Sequence, residues 1–238
     1  MTLLLIFLLT HLLTDFVFQT DRLVARKAAG ESKAMDQHGL IHFVVGIILL
    51  ALTRQMNLRY ILGLVILSVI HVLLDIGKQR IKTQWTTSET LVFQLDQMLH
   101  LIIILLSVTL VQSLDFTPLT DIDRWLGIAI TVVFTLWTSG IIIGLLLEDL
   151  RLRETDQAPL QGGRPAIGRY IGYLERGLIV FFLLNNSIAS LGLLATFKTL
   201  ARFRQLDDQA FAEYYLLGTL LSLSFGIAGT YLFNLFYV

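Results

Sequence analysis

Residues 58–78 read LRYILGLVILSVIHVLLDIGK, an apolar run that includes His71 and Asp75. About 20 apolar residues are enough to cross a bilayer as a helix. Positions i and i+4 of a helix share one face, so His71 and Asp75 point in the same direction. Ionisable side chains inside such a helix are costly to bury and indicate function by default. This stretch therefore predicts a membrane helix that carries part of a site.

The composition of the whole chain agrees with that prediction. Of its 238 residues, 55% are hydrophobic and 15% are charged, and the mean hydropathy is +0.72. A soluble domain has about 25% charged residues. We therefore expect an all-α, polytopic transmembrane helical bundle. The formal net charge is zero and no basic cluster is present, which argues against nucleic acid as a partner.

The chain contains no cysteine, which excludes disulfides, iron–sulfur clusters, thiolate-bound zinc and cysteine nucleophiles. Any metal must be held by nitrogen and oxygen. The first apolar run has no basic n-region and no small-residue cleavage site, so we expect a retained helix rather than a signal peptide.

Apolar runs predict about seven spanning helices. They cover residues 2–19, 38–53, 58–78, 89–112, 125–148, 168–187 and 210–236. The stretch 188–204 either prolongs the sixth helix or turns at Asn185-Asn186 and re-enters the membrane. We divide this single membrane domain into a histidine-bearing half, 1–112, and a histidine-free half, 113–238.

The charges of the loops predict an orientation. Loops 20–37, 78–88 and 149–167 are rich in lysine and arginine, whereas the intervening loops carry few such residues. The positive-inside rule then places these three loops in the cytoplasm and the N-terminus outside. Loop 149–167, with Pro159 and Gly162-Gly163, has the composition of a lid or linker.

All five histidines belong to pairs that are spaced four residues apart. Besides His71-x3-Asp75, the pairs are His11-x3-Asp15, His38-x3-His42 and Asp96-x3-His100. In the predicted topology all four pairs lie toward the cytoplasmic ends of their helices. One such pair alone is more typical of a hydrogen-bonded contact between helices. Four pairs at one depth predict a metal site.

Eight ligands suit two metal ions with about four ligands each, or three ions that share bridging carboxylates. Mixed imidazole and carboxylate ligands favour zinc as the divalent metal, with manganese or iron as alternatives. Asp15, Asp75 and Asp96 either bridge metals or orient a ligating imidazole. The sequence leaves both roles open.

Polar neighbours of the pairs are candidates for contact with a substrate. We assign that catalytic role to Lys78 and Gln97. Lys27 is a further candidate to hold a phosphate or carboxylate of a substrate, although its place in a basic loop favours a lysine that extends to lipid headgroups. In the second half, Glu175 and Arg176 are a candidate intramembrane ion pair, and whether Glu148 or either of them joins the site is left open.

At these residues the chain resembles a bacterial membrane family labelled as domain of unknown function 3307. The pattern is His11-x3-Asp15-Phe16-x2-Gln19, His38-x3-His42, His71-x3-Asp75-x2-Lys78 and Asp96-Gln97-x2-His100. It covers the first half, and the second half resembles the family's longer members. The resemblance implies the bacterial inner membrane and brings no established activity.

A looser resemblance is to the membrane-bound metal-dependent hydrolases regulated by LexA, and through them to the zinc-dependent phospholipase C group. This chain lacks the N-terminal tryptophan ligand of that group, which argues against three metals.

Three functional hypotheses fit these observations. The first is a metal-dependent hydrolase that acts at the inner leaflet on a phosphoester or a lipid-linked substrate, with membrane lipids as its surroundings. The second is a metal-ion or proton transporter that uses the same residues as a relay. The third is a di-iron oxidase, but such membrane enzymes have about eight histidines and this chain has five. A homodimer is left open.

Overall fold

The computed structural model describes residues 1–82, 88–112, 118–154 and 165–237. Apart from short π-helical and 3-10 turns, its ordered elements are α-helices, and no β-strand occurs in these ranges. They are α1 (Thr2–Leu12), α2 (Asp21–Ala28), α3 (Ser32–Leu52), α4 (Leu58–Lys82), α5 (Glu89–Val111), α6 (Asp121–Val133), α7 (Ser139–Glu154), α8 (Pro165–Leu184), α9 (Ile188–Arg202) and α10 (Gln209–Tyr237). The predicted all-α polytopic bundle is confirmed. Residues 83–87 of loop 78–88 and residues 155–164 of loop 149–167, with Pro159 and Gly162-Gly163, lie outside the described residues.

Fewer helices can span a membrane than the seven predicted. Five described helices are long and apolar enough: Ser32–Leu52, Leu58–Gln79, Glu89–Val111, Asp121–Leu150 and Gln209–Tyr237. A sixth span results if Thr2–Val17 and Asp21–Ala28, which are bent by 88°, are counted as one. The predicted sixth span is a helix, α8, but Arg169, Glu175 and Arg176 make it too polar to count.

Helix α1 is the centre of the first compact unit, which comprises Met1–Val133. It packs against α3, α5 and α6, while α3 contacts α4 and α4 contacts α5. Its apolar residues are buried on several faces, and Ile6 and Phe7 have no exposed surface. A helix that is apolar all round must be covered by its neighbours. After α1 the chain continues through a π-helical turn, Leu13–Val17, which carries Asp15.

The segment predicted as loop 20–37 is mostly helical. Thr20 begins α2, because its hydroxyl accepts a hydrogen bond from the backbone N–H of Leu23 at 3.3 Å. Helix α3 starts at Ser32, six residues earlier than predicted. His38 therefore lies about two turns inside α3 rather than at its start, and it is fully buried.

The second compact unit comprises Phe134–Val238. The first unit thus includes α6, which the sequence-based division at residue 112 places in the other half. Helix α8 ends at Leu184, and a turn follows in which Asn186 has a φ of 54°. Helix α9 is a separate 15-residue helix, so 188–204 does not prolong the preceding helix. Its re-entry into the membrane stays a prediction.

Glu175 and Arg176 do not pair with each other as predicted. Both Glu175 carboxylate oxygens accept hydrogen bonds from Lys198, at 2.7 and 2.8 Å. Arg176 donates to the backbone carbonyls of Thr135 and Leu136, at 2.7 and 2.6 Å. Those carbonyls belong to a second π-helical turn, Phe134–Thr138. Adjacent residues on α8 therefore serve different neighbours inside the second unit.

Candidate metal centre

Three side chains from three segments, two of them buried, bring one ligand atom each to a common point. Asp15 comes from the π-helical turn, His38 from α3 and His71 from α4. The two histidine Nε2 atoms are 2.9 Å apart, and each lies 3.2 Å from Asp15 Oδ1. We call these three side chains the Asp15–His38–His71 triangle.

The dimensions of the triangle are those of a metal-ligand set. Ligands at about 2.0–2.1 Å from a tetrahedral metal are separated by about 3.3–3.4 Å. The observed separations are slightly shorter. Asp15 Oδ1 nevertheless has no hydrogen bond with acceptable geometry to any described residue. The Asp15 oxygen thus lies close to both histidine nitrogens without a hydrogen bond to either, as expected for a ligand directed at a shared cation, while the two nitrogens are within hydrogen-bond distance of each other.

His42 is oriented by a serine that the sequence analysis missed. The Ser68 hydroxyl donates to the carbonyl of Leu64 at 2.8 Å, so it must accept from Nδ1 of His42, 2.9 Å away. The lone pair of His42 is therefore on Nε2. Its ring stacks on that of His71 with centroids 4.5 Å apart. Ser68 precedes His71 by three residues on α4, which is the spacing that could have revealed it.

His100 also has a defined free nitrogen. Its Nδ1 donates to the backbone carbonyl of Asp96 at 2.8 Å. Its Nε2 is buried and has no hydrogen-bond partner among the described residues. A buried polar atom without a partner is costly, and coordination of a metal ion would remove that cost. His100 Nε2 is therefore a candidate metal ligand.

Gln97 fixes His11 in the same way. The Gln97 amide nitrogen donates to Asp96 Oδ2 at 3.2 Å, which turns its Oε1 toward His11 Nε2 at 3.1 Å. Because Oε1 only accepts, the proton of His11 is on Nε2 and the free lone pair is on Nδ1. That Nδ1 lies 3.7 Å from Asp15 Oδ2.

Two lysines contact the carboxylates of the cluster. Lys78 Nζ is 2.7 Å from Asp96 Oδ2, and 30% of the lysine side chain is exposed. Lys27 forms a short ion pair with Asp75 Oδ2 and also donates to Gln19 Oε1 at 2.8 Å. Only 8% of the Lys27 side chain is exposed, so its predicted extension to lipid headgroups is wrong. Lys27 follows the buried Leu23 by four residues, so both lie on the same, inward face of α2. This spacing could have indicated that Lys27 is buried.

The structure thus brings all eight predicted ligand residues, and the predicted Lys78 and Gln97, into one buried cluster in the first unit. Three overlapping sets have ligand atoms within 4.8 Å of one another: His11, His71 and His100; Asp15, His38 and His71; Asp75, Asp96 and His100. His71 and His100 each belong to two sets. Glu175 and Arg176 find their partners in the second unit, on Lys198 and the π-helical turn.

Fold and site together define a polytopic, all-α membrane protein with a buried histidine–aspartate cluster. The chain belongs to the family described as "Protein of unknown function (DUF3307)", whose model matches residues 3–126, slightly more than half of the chain. All eight cluster histidines and aspartates lie within that match. No curated protein and no solved structure matches the chain.

Proposed function

We propose that this protein is a membrane-embedded, metal-dependent hydrolase that acts on a phosphoester or a lipid-linked phosphate at the inner leaflet. The observation that carries the proposal is the Asp15–His38–His71 triangle, with atom separations of 2.9–3.2 Å. Zinc is the first candidate, because imidazole and carboxylate ligands suit it. A bound divalent ion would polarise a phosphoryl oxygen and make a bound water nucleophilic at neutral pH.

The protein's own residues have distinct roles in this proposal. The triangle holds an ion, and the free nitrogens of His42, His11 and His100 complete its surroundings. Lys78, the partly exposed lysine of the cluster, is placed to contact an anionic group of a substrate that enters the cluster from the protein surface. Gln97 fixes Asp96 and His11 at once, so it orients ligands rather than reacting itself.

Packing beyond the cluster favours a hydrolase over a transporter. Phe7 precedes His11 on α1, Leu64 precedes His71 on α4, and Val108 follows His100 on α5. In the predicted topology all three lie on the side of the cluster away from the cytoplasm, and none has exposed surface. A transported ion would have to pass this apolar layer without ligands, at several kcal/mol or more.

Inner-leaflet placement of the site rests on the basic loops. Because the chain has no cysteine, a Lys33→Cys variant can test it, and labelling from the periplasm would contradict it.

Reconstituted liposomes separate the two functions. We expect zinc-dependent release of phosphate or alcohol from a phosphoester, without ion flux, and loss of that release in His100→Ala. The physical reason is that His100 Nε2 is buried and available as a ligand. Zinc-dependent flux that disappears in the same variant, without turnover, would instead establish a transporter.

An apolar groove on α3, the helix that carries His38 and His42, supports a lipid-linked substrate. It measures about 390 Å³ and is lined by Phe18, Leu40, Ile41, Val44 and Val45. Leu40 and Val44 are exposed, and each is two residues from a cluster histidine, so they lie toward the outer face of α3, a helix that is long and apolar enough to face hydrocarbon. We therefore assign the groove to the acyl or isoprenoid chain of the substrate.

Filling the groove should affect long-chain substrates selectively. Val44→Trp is expected to raise KM for a long-chain phosphoester about 10-fold, which corresponds to the loss of about two buried methylenes. A water-soluble, short-chain phosphoester should be hydrolysed as before. Ile48→Trp is the matched control, because Ile48 is similarly exposed on α3 but does not line the groove. Equal effects on both substrates would contradict the assignment.

A further inference from the structure

When all five imidazoles are neutral, the charges of the cluster do not balance without a further ligand. Asp15, Asp75 and Asp96 contribute three carboxylates, and Asp75 and Asp96 are among the buried residues of the protein. Imidazoles that ligate a metal are neutral. Lys27 and Lys78 supply two positive charges through their ion pairs with Asp75 and Asp96. One negative charge is left over in a low-dielectric site, where an uncompensated charge is expensive.

The net charge of the site differs between one bound divalent ion and two. One ion turns the surplus negative charge into one positive charge, which an anionic substrate would neutralise. Two ions would leave three positive charges in the buried site while both lysines stay in place. Charge balance therefore favours a single ion accompanied by an anion.

The position of Lys27 also favours a single ion, and this argument does not depend on charge. Its ammonium contacts Asp75 Oδ2, and that oxygen lies 3.3 Å from His38 Nε2 in the triangle. Asp75 Oδ2 is thus next to the first ion position, and the same oxygen, which a bridged second ion would need as a ligand, is already in contact with Lys27.

The two lysines differ in how firmly they are held. Lys27 is held by both Asp75 and Gln19 and is almost fully buried, whereas the side chain of Lys78 is 30% exposed. Lys78 can leave Asp96 and swing toward an incoming anion. Lys27 would have to abandon two partners inside the protein, so it acts as a fixed part of the site.

We propose that Lys27 serves as the second cation of the centre, so that each chain binds one divalent ion and the ligand that completes the site is an anion of the phosphate class. This inference rests on the proposed metal centre and specifies its stoichiometry and charge. It differs from the expectation of two or three ions that the ligand count alone suggests.

Metal analysis of the full-length protein in detergent tests this directly. After saturation with zinc and removal of loosely bound ions, we expect about one zinc ion per chain in the wild type and in Lys33→Met, a control at an exposed lysine of α3. Lys27→Met frees Asp75 and is expected to bind a second ion. Lys27→Arg keeps the positive charge and should bind one, which guards against a general folding defect.

Each result decides between the alternatives. Two ions per wild-type chain, or one ion in a folded Lys27→Met, would overturn the role of Lys27 while leaving a metal-dependent hydrolase intact. A wild-type protein that binds no zinc, manganese or iron would overturn the metal centre and the proposed function together.

Discussion

Replacing His71 by alanine is expected to abolish stoichiometric metal binding and to lower metal-dependent turnover by more than about 100-fold. Loss of a residue that only supports a ligand costs about 10–100-fold, and a ligand should cost more. His71 Nε2 is within 3.2 Å of both His38 Nε2 and Asp15 Oδ1. Its ring centroid is also 4.5 Å from those of His42 and His100. No other histidine contacts so many members of the cluster among the described residues.

Tyr60→Phe is the matched control for His71→Ala. Tyr60 lies on the same helix, α4, and its hydroxyl donates to Gln112 at 2.8 Å, away from the cluster. This variant loses an interhelical hydrogen bond but should retain metal and activity. The double variant His71→Ala with Asp96→Ala removes a ligand from each of the three overlapping sets and should bind no metal. Full zinc content in a folded His71→Ala would disprove the centre as described.

Replacing Arg176 by methionine is expected to destabilise the protein by about 2–3 kcal/mol, because the carbonyls of Thr135 and Leu136 lose their hydrogen bonds to a buried, charged donor. A π-helical turn disturbs the regular backbone hydrogen-bond ladder, so its carbonyls need other partners. Arg176 serves two of them and is 3% exposed. A methyl group at Gly140 would come within 2.8 Å of the guanidinium, so that position has little room for a side chain.

Denaturant unfolding in detergent, followed by circular dichroism, measures this effect. Arg176→Lys should fall between the wild type and Arg176→Met, since an ammonium cannot reproduce the planar arrangement of guanidinium donors. Arg204→Met, at an exposed arginine, should leave stability unchanged within about 0.5 kcal/mol. If Arg176→Met unfolds like the wild type, the guanidinium does not stabilise the π-helical turn. Metal content should stay constant in all three variants, because Arg176 bonds within the second unit.

Much of the candidate site follows from local sequence patterns. The spacing of His71 and Asp75, and of the three other pairs, places each pair on one face of its helix, and this depends only on helical geometry. Apolar length likewise predicts which segments are spanning helices, and it fails where charges interrupt α8 or where the chain bends after Val17. These are properties of segments of about 20 residues.

Contacts between distant parts of the chain could not be predicted in the same way. Lys27 and Asp75 are 48 residues apart, and Arg176 and Thr135 are 41 apart. An isolated lysine or arginine in a basic, membrane-adjacent segment has the same local pattern whether it contacts lipid headgroups or a buried carboxylate. Only tertiary packing, of α2 against α3 and of α3 against α4, decides which partner Lys27 finds.

The sequence by itself determined the all-α membrane architecture and the eight residues that come together, because periodicity and hydropathy act within single helices. The tertiary structure decided which nitrogen of His11 and of His42 is free, through Gln97 and Ser68. The tertiary structure also decided that Lys27 lies beside the Asp15–His38–His71 triangle. A side chain's free lone pair and its neighbouring charge depend on partners from other helices, and helix–helix packing alone brings those partners within hydrogen-bond distance.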